Sequence, residues 1–113
     1  MGKFVVGDVV AVPFPFSDLS GRKLRPALVL AVIDRDDLIL CQITSKPFAS
    51  KNAIDLSQDD FLKGSLPLKS YIRPDKLFTA EATIIQKHKG KLQDQLLNHV
   101  LDVVQGLFKT ANR

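Results

Sequence analysis

The 113-residue chain has one cysteine, two histidines and no apolar run near the roughly 18 to 20 residues that a bilayer span demands. Each shortage removes a class of chemistry. Cys41 has no second thiol, so an internal disulfide is impossible, and the chain fits a reducing cytoplasm. His88 and His99 stand alone, which leaves no zinc-type ligand spacing. The first polar loop has a single glycine, Gly21, and cannot form a phosphate-cradling P-loop. No Ser-His-Asp or Cys-His order stands out. The opening MGKFVVGDVV meets Asp8 before any signal-type apolar core, so a cleaved leader is not expected. No internal repeat, low-complexity tract or interdomain linker interrupts the chain.

A hydrophobic content of 45% beside 25% charged residues is a globular mixture, at a length that supports a single domain (residues 1–113) with one core. The net charge of +4 favours an anionic partner such as nucleic acid, phosphate or an acidic peptide.

The patterning is mainly β. Residues 5–14 carry the β-branched and aromatic content of a strand, which Pro13 and Pro15 must end or push to an edge. Residues 16–24, FSDLSGRKL, form a loop, and 26–33 read as a buried strand. Asp34 to Asp37 make a turn into a partner strand at 38–44. A second basic loop, SKPFASKN, spans 45–52; a short strand follows at 53–56, then a turn or helical corner at 57–62. Residues 69–73 form another strand, stopped or bent by Pro74 and continued at 76–79. From Gln93 the period changes: Leu97, Val100, Leu101, Val104 and Phe108 recur at helical spacing. Five or more short bent strands with a C-terminal amphipathic helix suggest a small barrel, which removes exposed sheet edges.

The residues left to carry chemistry are mostly cationic. Arg22, Lys23 and Arg25 belong to the first loop, Lys46 and Lys51 to the second, and the loop lysines are read as solvated unless a partner is shown. Arg25 is restrained by Pro26, so its guanidinium can be aimed. Arg73 and Asp75, two apart in SYIRPDKL, face one side if the strand stays extended through Pro74, either as an ordinary salt bridge or as a functional pair. In QITSK, Thr44 and Ser45 end a strand, where hydroxyls serve turns and can also bind phosphate oxygens. Cys41 reads as a small apolar strand residue, and His88, within QKHKGK, as part of a solvated run.

Taken in order, GDVVAVPFPFSDLSGRKLRPALVLA, LILCQITSK, SYIRPDKLFT and the KGKL segment before the final helix resemble the PemK/MazF family of bacterial toxins. The resemblance implies an SH3-like barrel, usually a homodimer. It also implies a metal-independent, ribosome-independent endoribonuclease acting on single-stranded RNA, the toxin of a type II toxin–antitoxin pair, restrained by an antitoxin with an extended, often acidic segment. No cofactor is expected. The 2′-hydroxyl would attack the adjacent phosphate to leave 2′,3′-cyclic phosphate and 5′-hydroxyl ends. By resemblance, Arg25 lies against the scissile phosphate and Thr44 and Ser45 bind phosphate oxygens. Arg73 and Asp75 are candidate general acid and base, Arg73 alternatively acting by charge alone. Arg22, Lys23 and Lys46 complete the expected RNA contacts.

The chain departs from the family pattern at Lys76, where many members have glutamine, and at Phe78, often a basic position. Its first loop offers Ser17, Asp18 and Ser20 but no histidine. These differences bear on the cleavage sequence, which depends on the loops at 16–24 and 45–53. The alternatives are a catalytically decayed barrel that binds RNA or protein, and a gyrase-poisoning toxin of the same architecture. Retention of Arg25, Thr44, Arg73 and Asp75 counts against the first; LFKTANR gives no reason to invoke the second.

Overall fold

A computed structural model describes residues 4–14, 23–34 and 36–110. Arg22, Ser17, Asp18 and Ser20 lie outside the described residues, as does Arg35 of the expected hairpin turn. Among the described residues, seven strands form one sheet: β1 (Asp8–Phe14), β2 (Lys23–Val32), β3 (Asp37–Thr44), β4 (Ile54–Leu56), β5 (Phe61–Gly64), β6 (Ser70–Glu81) and β7 (Lys87–Leu92). The order is β4-β6-β3-β2-β1-β7-β5, and every pairing is antiparallel. The sheet curls into a half-barrel, followed by helix α1 (Asp94–Thr110). This is the mainly β architecture with a terminal helix that the patterning implies.

The central strands read as unbroken apolar runs because the sheet is covered on both faces. Val9, Leu28, Cys41, Ile43, Ile72 and Leu92 form one core, which Val100 of α1 enters. Val10, Val12, Ala27, Val29, Leu38 and Leu40 form the other, closed by Phe4, Phe78 and Ile85. The helix begins with Asp94 and carries Lys109 in its last turn, so both charges suit its dipole. Leu97 and Val100 are buried and Leu101 and Val104 partly so, as the period requires, but Phe108 in the last turn is 68% exposed.

Three local features differ from the patterning. Lys23 and Leu24 already belong to β2, paired with Phe14 and Pro13. Of the corner expected at 57–62, only Gln58–Asp60 forms a 3-10 turn, and Phe61 and Leu62 already belong to the additional strand β5. The basic run QKHKGK supplies β7, which pairs with β1 on one side and β5 on the other. Glycine permits that junction. Gly64 and Gly90 are cross-strand partners, and a Cβ on Gly90 would lie 2.4 Å from the Lys63 carbonyl oxygen. Pro74 does not stop β6 but bends it: Cys41 pairs with Leu77 and the next residue, Gln42, with Arg73, so residues 74–76 bulge from the ladder.

Candidate active site

Where β2 begins and β3 ends, the sheet borders a cleft of about 380 Å³. Arg25 pairs with Val12 of β1, and Ala27, two residues on, pairs with Gln42 of β3. Extending that register by two brings Arg25 abreast of Thr44, and both line the cleft. The Arg25 Nε is buried and has no hydrogen-bond partner among the described residues. An unmade bond of this kind costs about 1–3 kcal/mol in a folded protein. Thr44 is 8% exposed, and its Oγ1 accepts the Lys46 N–H at 3.1 Å. That is turn chemistry, yet the bond uses only the acceptor side of the hydroxyl and leaves its proton to donate.

The charged lining of the cleft is one-signed. Lys23 and Arg25 enter from β2, and Lys87 and Lys89 from β7, while no acidic side chain lines it among the described residues. Such a cleft concentrates anions. Ser45 and Ser70 add hydroxyls, and Leu66, Pro67 and Leu68 form an apolar wall. The model of the PemK-like, MazF-like toxins of type II toxin–antitoxin systems matches residues 6–108, nearly the whole chain.

The chain belongs to this toxin family. Solved structures agree in fold. An endoribonuclease from a mycobacterial species superposes with a TM-score of 0.71 at 15% identity, covering 100% of this chain and 98% of its own. An endoribonuclease in complex with its cognate antitoxin, also mycobacterial, gives 0.71 at 16%, covering 96% of each chain. The Mycobacterium tuberculosis toxin MazF-mt6 gives 0.67 at 14%, covering 90% of this chain and 96% of its own. At these identities the likeness establishes the fold alone. No curated protein sequence matches the chain significantly.

Within this MazF-like fold, Lys23, Arg25, Thr44 and Ser45 come together at the cleft. Arg73 and Asp75 do not line it; they sit on β6, with Arg73 opposite Gln42 and therefore one strand beyond β3. Two strand spacings, about 10 Å, separate β2 from β6. The guanidinium grips the carboxylate with two bonds, Nη2 to Oδ2 at 2.9 Å and Nε to Oδ1 at 3.4 Å. Ser50 Oγ, from the second loop, donates to Asp75 Oδ2 at 3.1 Å. Partial burial pushes the Asp75 carboxyl up, but the bonds from Arg73 and Ser50 outweigh it and hold the group below its ordinary value of 3.8. Lys46 lies on the loop after Ser45 and does not line the cleft.

Sequence reasoning missed Lys87 and Lys89, whose place in the cleft depends on a strand made almost entirely of charged and small residues. Gln42, 6% exposed and outside the cleft lining, has an Oε1 that is buried without a partner among the described residues, like the Arg25 Nε. His88 is not merely solvated: its Nε2 lies 3.2 Å from Oδ1 of buried Asp8, whose Oδ2 accepts the Val5 N–H at 2.9 Å. Cys41 is a core residue. Burial, reinforced by the Asp75 charge and opposed by a hydrogen bond with the Leu28 backbone, pushes its thiol up to about 12. No group of three or more His, Cys, Asp or Glu that could hold a metal ion occurs among the described residues. No helix among the described residues is long and apolar enough to cross a membrane.

Proposed function

We propose that this toxin is a metal-independent, sequence-selective endoribonuclease that cuts single-stranded RNA at the cleft. The observation that carries the reading is the meeting of Arg25 and Thr44 in a cleft whose charged lining is wholly cationic among the described residues. The 2′-hydroxyl oxygen bonds to the neighbouring phosphorus, its proton passes to a base, and the 5′-oxygen leaves and takes up a proton. Charge accumulates on the non-bridging phosphate oxygens. The Arg25 guanidinium and the Thr44 hydroxyl are the donors assigned to them, and stabilisation of this kind is commonly the largest catalytic contribution. Asp75, ionised at neutral pH but set off the cleft on β6, is assigned as the proton acceptor acting through a bridging water rather than by direct contact. Arg73 orients it and adds positive field; its guanidinium is too weak an acid to serve readily as a proton donor. Ser45, Lys23, Lys46 and Arg22 are assigned to the flanking phosphates.

The protein acts as a homodimer in the cytoplasm, restrained by a cognate antitoxin whose extended acidic segment occupies the same basic surface. Charge complementarity supports that partner, as does the antitoxin complex of a structural relative. The test is cleavage of a long, mostly single-stranded RNA in EDTA by wild type and Arg25→Ala. Discrete fragments ending in 2′,3′-cyclic phosphate, lost with the mutant, are the expected result. A folded wild type that cuts no RNA across varied sequences would make the cleft a binding surface only.

A further inference from the structure

The second basic loop carries a feature that the cleavage chemistry leaves unused. Phe48 is 95% exposed. A phenylalanine gains most by burial, so a ring held almost entirely in water stabilises nothing in the chain that presents it. The loop is nevertheless tied down. Thr44 Oγ1 accepts the Lys46 N–H at 3.1 Å, and the Ala49 N–H reaches the Lys46 carbonyl at 3.4 Å. Ser50 Oγ accepts the Asn52 N–H at 3.1 Å and donates to Asp75 at 3.1 Å. Pro47 restrains the backbone just before the ring. One anchor of the loop is thus a cleft-lining threonine and the other the carboxylate assigned as base. Phe48 stands three residues from Ser45, at most about 11 Å of extended chain.

We propose that Phe48 is a stacking platform for one unpaired base of the RNA, beside the phosphate held at Arg25, and so helps set the cleavage sequence. The assignment rests on the endoribonuclease reading above. A base needs one flat apolar face and a nearby cation for its phosphate, and the loop provides both. In sequence, Lys46 and Lys51 stand two residues before and three after Phe48, and no acidic residue lies between 45 and 54. A protein partner anchors through clustered apolar side chains that fill a pocket; in sequence this ring stands between lysines instead. The loop's internal hydrogen bonds lower the ordering cost of presenting the ring.

The chain contains no tryptophan, so Phe48→Trp places a single reporter at the site. Cut positions in a long single-stranded RNA are mapped by end sequencing for wild type, Phe48→Ala and Phe48→Trp. A 2′-O-methyl oligoribonucleotide spanning a mapped site, which cannot be cleaved, then measures binding. Phe48→Ala is expected to weaken its binding on the order of tenfold and to relax base preference at one position. Phe48→Trp is expected to keep cleavage, with its emission quenched as the oligonucleotide binds. Wild-type cleavage with unchanged affinity and cut pattern in Phe48→Ala overturns the assignment while leaving the nuclease intact. So does tryptophan emission that ignores saturating oligonucleotide. A Phe48→Ala variant that loses self-association but binds RNA normally assigns the ring to a protein contact and equally overturns it. A wild type that neither binds nor cuts RNA removes the nuclease reading and this one together.

Discussion

Arg25 is a strand residue whose Nε is buried without a partner among the described residues, and its neighbour across the sheet is a hydroxyl. If that donor serves the transition state, Arg25→Ala lowers kcat by about 10²-fold or more, and Arg25→Lys fails to restore it because an ammonium cannot reproduce the planar fork. Asp75 gives a prediction with a sign. Its carboxyl is held below the ordinary carboxylate value, so its contribution to folding stability is present above pH 4 or so and is lost as pH falls through the lower folded value. As the base, it makes kcat/KM fall only on that same acidic limb, measurable against a substrate stable to acid. A limb near pH 6 would assign proton transfer to another group. Asp75→Asn should remove both effects. Cys41 is the contrasting residue: a buried thiol pushed up to about 12 should resist alkylation at pH 8 in the native protein and react only after denaturation.

Among the elements, α1 separates what packs from what merely matches a period. Val100 is fully buried, whereas Phe108 extends the same stripe and stays mostly in water. Phe108→Ala should therefore change urea stability by under about 0.5 kcal/mol, while Leu28→Ala, at a fully buried core position, should cost about 2–5 kcal/mol. The strand β7 shows why part of the candidate site was unreadable. Lys87, His88, Lys89 and Lys91 give no apolar alternation, and Gly90 weakens a strand by itself. The segment is a strand because β1 and β5 bracket it and because Gly64 and Gly90 let backbones approach. Gly90→Ala should cost roughly 1–3 kcal/mol through that steric conflict and loosen the strand carrying two cleft lysines. The strand positions of Arg25 and Thr44 and the Arg73–Asp75 ion pair were legible because each is marked by its own neighbours: Pro26, the end of an apolar run, and Pro74; that the first two share a cleft and the pair lies off it was not.

Over the whole molecule, the net charge of +4 is less informative than its distribution. Four cations from two distant stretches of sequence meet at one cleft with no acidic lining among the described residues. Binding of single-stranded RNA should therefore weaken steeply with salt. Replacing Lys87 and Lys89 together by alanine should reduce the slope of log K against log[salt] by about 1.4, near 0.7 for each phosphate left without its lysine. If the slope is unchanged, RNA does not reach β7, and the path of the strand runs toward the Lys46 loop instead.

The amino-acid order alone determined the mainly β character and the terminal helix, because these depend on local periodicity, whereas the start of β2 at Lys23, before the arginine–proline pair, was set by pairing with β1. The order also determined the family, through ordered blocks that span the chain. Tertiary structure decided which charged run became a strand, where β6 bulges around Pro74, and which lysines share a cleft with Arg25. Those outcomes depend on register between segments far apart in the chain. A backbone with little preference of its own takes the conformation that its hydrogen-bonding neighbours complete.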